Sequence, residues 1–175
     1  MVSNPKRQKP MKKVYAVYAL VLALFFSCDE PADNSHLEST PVDSETAILV
    51  GTYYGMCIGE DCIQLYYITE DELFEDTNDR YFYDGYDISQ ATFVKREHAD
   101  FLVMKKLRDD FPQQLLAETE TFFGCPDCAD GGGIYLQVET SDGIRHWQID
   151  NDLSKIPQYL RGYVTEIREQ INQLP

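Results

Sequence analysis

Four cysteines in two close pairs, Cys57 and Cys62 in GMCIGEDCIQ and Cys125 and Cys128 in GCPDCAD, are the residues of this chain best suited to chemistry. Three chemistries fit them. Two short loops could turn four thiolates towards one zinc ion at about 2.3 Å, as in closed tetrahedral sites. The second pair has knuckle spacing, while four intervening residues make the first a looser loop. A redox dithiol needs its first cysteine at a helix amino terminus, where exposed amides and the dipole lower the thiol pKa. Cys128 is followed by ADGGG and then a strand pattern, so the sequence supplies no such helix. Disulfides are the third chemistry, and they require an oxidising compartment. Four cysteines admit three pairings. Bonds within each motif stabilise by about 2 kcal/mol each, whereas a bridge from Cys57 to Cys125 would give about 4. Proximity favours the local pairs, with zinc binding or a thiol-dependent enzyme as the alternative use of the same four residues.

Other groups offer less. Tyr81, Tyr83 and Tyr86 sit among Asp79, Asp84 and Asp87, and rings beside carboxylates suit sugar or peptide binding. A strand whose alternate rings face core and solvent gives the same pattern. EDTNDRYFYDGYD departs from the EF-hand spacing, because Arg80 and Tyr81 stand where an oxygen ligand and the loop glycine belong. Asp127 and Asp130 read as turn makers. His36, His98 and His146 form no His-x-x-x-His pair, and Ser89, Ser141 and Ser154 have no base close in sequence. Neither a nucleophile elbow nor a phosphate loop is present. The motifs therefore describe a binding module sooner than an enzyme.

Which cysteine chemistry applies depends on where the chain resides. Lys6, Arg7, Lys9, Lys12 and Lys13 precede the apolar run VYAVYALVLALFF, Val14 to Phe26, and then Ser27 and Cys28. That is a signal peptide's order of parts. At 1.5 Å per residue the run covers about 20 Å, short of the roughly 30 Å hydrocarbon core. Met11, directly before Lys12 and Lys13, offers a second translation start. A cysteine after an apolar run and a small residue resembles the lipobox of bacterial lipoproteins, in which the cysteine takes a diacylglycerol and becomes the mature amino terminus. Phe25 and Phe26 depart from its usual aliphatic and small residues. The resemblance implies lipidation, palmitate included, at Cys28, and two or three acyl chains hold a protein to a membrane without further contact.

Removing residues 1–27 leaves ten cations against thirty anions. A field of that sign repels phosphate backbones, which excludes nucleic acid as a partner. Cys28 to Glu45 has few apolar residues, two prolines and many acids and hydroxyls, and reads as a disordered acidic tether. Its acids also resemble the surface-export signals of Bacteroidota lipoproteins. The address expected is the cell envelope, anchored to the outer membrane by lipid. The compartment then favours disulfides among the four remaining cysteines.

Residues 46–175 are long enough for one domain with one core. TAILVGTYYG, CIQLYYIT, EDELFED and RYFYD read as strands of an antiparallel meander, with a turn at Thr77 to Asp79. Val94, Phe101, Met104, Leu107 and Phe111 fall on one face of a helix that Pro112 interrupts, and QQLLAE makes a short turn. GIYLQVET and IRHWQID form a hairpin through SDG, where Gly143 can take positive φ. Gly131 to Gly133 let the chain turn from the cysteine loop into the first of these strands. A closing helix carries Ile156, Tyr159, Leu160, Tyr163, Val164, Ile167, Ile171 and Leu174. The fold expected is α+β, an antiparallel sheet with two main helices packed on one face.

GMCIGEDCIQLYYIT, FGCPDCADGGGIYLQ and W-x-I-D followed by I-P-x-Y-L are similar to small cell-envelope lipoproteins of Bacteroidota, over most of the chain after about Leu49. The family carries no assigned activity. The resemblance implies an address and a domain outline, and the partner expected is an envelope protein or glycan.

Overall fold

The structure, a computed structural model, describes residues 46–57, 62–78, 87–140 and 143–175. Within them lie strands β1 (Ile48–Tyr53), β2 (Ile63–Ile68), β3 (Leu73–Asp76) and β4 (Phe93–Lys95), helix α1 (His98–Asp109), strands β5 (Phe122–Phe123), β6 (Gly133–Thr140) and β7 (Gly143–Asp150), and helix α2 (Gln158–Ile171). The strands form one sheet in the order β4-β3-β2-β1-β6-β7-β5. All pairings are antiparallel except β5 with β7. The fold is α+β, as the alternation of strand and helix patterns predicts. The parallel β5 edge is an addition: two residues are too short a run to show in sequence.

Because side chains alternate along a strand, the sheet has two distinct faces. Ile48 and Val50 of β1, Tyr66 and Ile68 of β2, and Ile134, Leu136 and Val138 of β6 belong to a large buried cluster. Phe101, Met104 and Leu107 of α1 and Leu160, Tyr163, Val164, Ile167 and Ile171 of α2 join the same cluster. The intervening strand residues Leu49, Tyr53, Ile63, Leu65 and Tyr135 form a second, smaller one with Cys62. Buried side chains at three- and four-residue steps give each helix a single apolar stripe. In α1 the ends are also charged to suit the dipole, with Asp100 in the first turn and Lys106 and Arg108 in the last. Tyr163 of α2 is buried and donates from Oη to the Leu107 carbonyl at 2.7 Å. Burial drives its phenol well above the ordinary tyrosine pKa.

The helices differ from the sequence reading at both ends: Phe111 follows α1, Leu174 follows α2, and two residues assigned to helix precede them. Val94 is not helical: it sits mid-strand in β4 opposite Glu75, half exposed. Phe101 lies seven positions on, a step that suits a helix face, but Glu97 is extended before α1 begins. Ile156 lies before α2 and is buried. QQLLA forms a 3-10 turn, Gln113–Ala117, and beside it Phe111 packs on Trp147 and Tyr163. RYFYD lies outside the described residues, as do residues 1–45. Among the described residues no helix is long and apolar enough to cross a membrane.

Candidate functional site

β1 organises the site. The chain reaches it at Thr46 and Ala47, whose end of the sheet also holds the β2–β3 turn and the start of β7. At the other end Tyr53 pairs with Ile63 on one side and Gly133 on the other, and Gly133 pairs with Asp150. Both cysteine motifs open from this far end, because one connects β1 to β2 and the other leads into β6.

The structure joins Cys57 to Cys62 and Cys125 to Cys128, with Cα atoms 5.5 Å apart in each pair. Cys62 is buried in the second apolar cluster at 8% exposure, whereas Cys57, Cys125 and Cys128 are exposed. A sulfur held in a disulfide is not a thiolate, so these bonds and a four-thiolate zinc site are mutually exclusive states of the same atoms. Among the described residues no group of three or more His, Cys, Asp or Glu side chains is placed to hold a metal ion.

The two stapled loops are tied together by one carboxylate. Asp127, between the second pair of cysteines, accepts from the Gly55 amide at 3.0 Å and from the Gly132 amide at 3.1 Å, both at Oδ1. Its own amide donates to the Gly132 carbonyl at 2.8 Å. The Tyr54 ring lies over Gly132 so closely that an added Cβ would come within 2.3 Å of it, and the Tyr54 amide donates to the Cys62 carbonyl at 2.9 Å. Buried Asp150, at the end of β7, accepts from the Cys125 amide at 2.8 Å and from the Asp152 amide. Asn151 Nδ2 donates to the Gly131 carbonyl at 2.9 Å. The second loop is thereby bonded to β1's exit on one side and to β7's exit on the other.

This loop holds its shape at a cost. Asp127, Ala129 and Asp130 have φ of 59°, 55° and 59°, in the left-handed region. Aspartate tolerates that region through local hydrogen bonding, but alanine has no such compensation, and the strain there is about 1–2 kcal/mol.

Three of the large apolar residues that face solvent are Tyr54 at 39% exposure and Met56 at 80%, beside the first staple, and Phe122 at 53%, on edge strand β5 level with Gly51 of β1. Sequence reading passed over all three. Met56 carries a signal only in retrospect, since it stands beside Cys57 in a loop that local pairing must hold away from the core.

Among the described residues, the remaining sequence candidates do not gather at this site. Cys28, Tyr81, Tyr83 and Tyr86 lie outside the described residues, as do His36 and Ser141. Ser89 and Ser154 close local turns, donating from Oγ to Asp87 at 2.6 Å and Asp152 at 2.7 Å. These bonds hold both carboxylates below the usual aspartate pKa. His98 opens α1 against Phe101, and His146 stacks on Tyr135 with ring centroids 6.0 Å apart. Partial burial lowers the His146 pKa from its ordinary value. On that same face Tyr53 Oη donates to Gln148 Oε1 at 2.7 Å, and Tyr135 Oη donates to Gln137 Oε1 at 2.9 Å, so both buried glutamines are engaged. No protein-family model matches the chain, and no curated protein matches it.

Proposed function

We propose that this protein is a lipid-anchored, non-enzymatic binding module of the cell envelope, and that the stapled end of its sheet is the surface that meets a partner protein. One observation carries the reading: both disulfide loops and the exposed Tyr54 and Met56 fall at the end of β1 opposite to Thr46, where the chain arrives from the amino-terminal segment. Six residues of strand put about 20 Å between the two ends. If Cys28 carries lipid, the tether enters the domain at the end of β1 opposite the presenting surface. Tyrosine and methionine are enriched where proteins meet, and loops held by bonds of the kind Asp127 makes lose little freedom on binding.

The basic and apolar run before Cys28 and the acids after it support the address. Expression of the full chain with an alkyne-tagged palmitate, beside Cys28→Ser, tests the anchor. Label and envelope fractionation should both vanish in the variant; label retained by Cys28→Ser refutes lipidation there. Crosslinking in intact cells tests the surface. A protein captured by the parent should be lost by Met56→Asp at unchanged melting temperature, and by Tyr54→Ala while the domain remains folded. Capture that persists in both, or capture of a glycan alone, refutes the protein-binding assignment.

A further inference from the structure

We infer that Cys125–Cys128 is an exchangeable disulfide, opened by a dithiol protein while Cys57–Cys62 stays closed, and that its opening releases the Tyr54–Cys57 loop. The inference stands apart from the lipid anchor, since it needs exposed sulfur and not a membrane.

Three differences separate the two bonds. The first is access to both sulfurs. Attack on the exposed Cys57 would expel the Cys62 thiolate into a cluster of Leu49, Ile63 and Leu65, and apolar surroundings raise a thiol's pKa. Exchange slows as the leaving thiol's pKa rises. Cys125 and Cys128 are both solvent-exposed, so either can depart as a hydrated thiolate. The second difference is the backbone. Ala129, the residue directly after Cys128, stands at φ 55°, and freeing Cys128 lets this neighbour return to an ordinary conformation. The third is what each loop holds: Asp127, inside the second loop, is the acceptor that fixes the Gly55 amide of the first.

The step balances as ordinary dithiol exchange. A thiolate of the partner attacks one sulfur, a mixed disulfide forms, and the other cysteine leaves as a thiolate that takes a proton. The partner's second thiol, once deprotonated, attacks the mixed bond. The partner ends as a disulfide and Cys125 and Cys128 as thiols, with two electrons and two protons transferred. Freed from its ring, Asp127 no longer holds Gly55, and the loop bearing Tyr54 and Met56 becomes mobile.

The test uses the oxidised full chain in detergent, titrated with dithiothreitol and trapped with N-ethylmaleimide before peptide mass spectrometry. Cys125–Cys128 should be half reduced at a concentration at least about tenfold below that for Cys57–Cys62, the factor into which one left-handed alanine's strain converts. Equal or reversed order overturns the inference. Ala129→Gly, which removes the strain without touching either sulfur, should raise the concentration needed for Cys125–Cys128 several-fold; no change refutes the backbone argument. Amide exchange at Gly55 should accelerate at least about tenfold when only Cys125–Cys128 is open. Asp127→Ala should reproduce that acceleration without reductant, while Asp127→Asn, which keeps an acceptor oxygen, should not. Exchange at Gly55 that ignores both the bond and the substitution overturns the latch.

Discussion

Replacing Gly132 with alanine should destabilise the domain by about 2 to 5 kcal/mol, whereas the same change one residue earlier should be close to neutral. Gly132 has φ of 68°, where alanine carries about 1–2 kcal/mol of strain. Its new Cβ would also lie 2.3 Å from Tyr54 Cδ1 and 2.5 Å from the Tyr53 carbonyl oxygen. The ring can turn, but the carbonyl belongs to β1 and cannot withdraw without breaking the sheet, so overpacking adds about 1–3 kcal/mol. Gly131 has φ of −78°, open to any residue, and its Cβ would find only the Cys128 carbonyl at 3.2 Å. There alanine gains about 0.4–1 kcal/mol by restricting the unfolded chain, which offsets the tight contact. For a domain of this size each kcal/mol moves the melting temperature by about 4 °C. Thermal unfolding under oxidising conditions should therefore fall by roughly 8 to 20 °C in Gly132→Ala and stay within about 2 °C of the parent in Gly131→Ala. Equal melting of the two variants would refute the claim that the turn's handedness and the Tyr54 contact dictate glycine.

Tyr163→Phe leaves the Leu107 carbonyl buried without its donor and should lower stability by about 1–3 kcal/mol in urea titration, with an unchanged m-value. Reductant should lower the melting temperature by the equivalent of about 2 kcal/mol per opened staple, while a chelator alone has no effect; a chelator effect would instead reveal bound metal. His146 favours its neutral form in the folded state because burial lowers its pKa. Its contribution is then fully present above the unfolded value of about 6.5 and is lost as pH falls through the lower folded value. His146→Gln should accordingly lose less stability than the parent between about pH 7 and 5 in paired denaturation curves.

The strands' existence was legible in sequence, but their adjacency was not. ILVGTY, IQLYYI and GIYLQVET advertise themselves by β-branched and aromatic residues, and two of them follow a meander and a hairpin pattern. Nothing in those patterns says that β1 sits between β2 and β6, and that placement alone brings the two cysteine motifs to one end of the sheet. Spacing was enough to suggest local pairing of the cysteines. The Asp127 bridge to Gly55 spans seventy-two positions, so it follows from topology and leaves no local trace. Val94 misled because a helical step and a strand position coincide at that residue. The exposure of Met56 and Phe122 was invisible for the opposite reason: apolar residues beside strands are by default assigned to the core.

β1 is bonded along its whole length to neighbours on both sides, six residue pairs to β2 and six to β6. A load applied between Thr46 and the far loops would run along that strand and strain the rungs on both flanks together. They would have to fail in concert, whereas a peripheral strand can be peeled from its sheet one rung at a time. Tension applied across those two ends would thus be borne by the middle of the sheet.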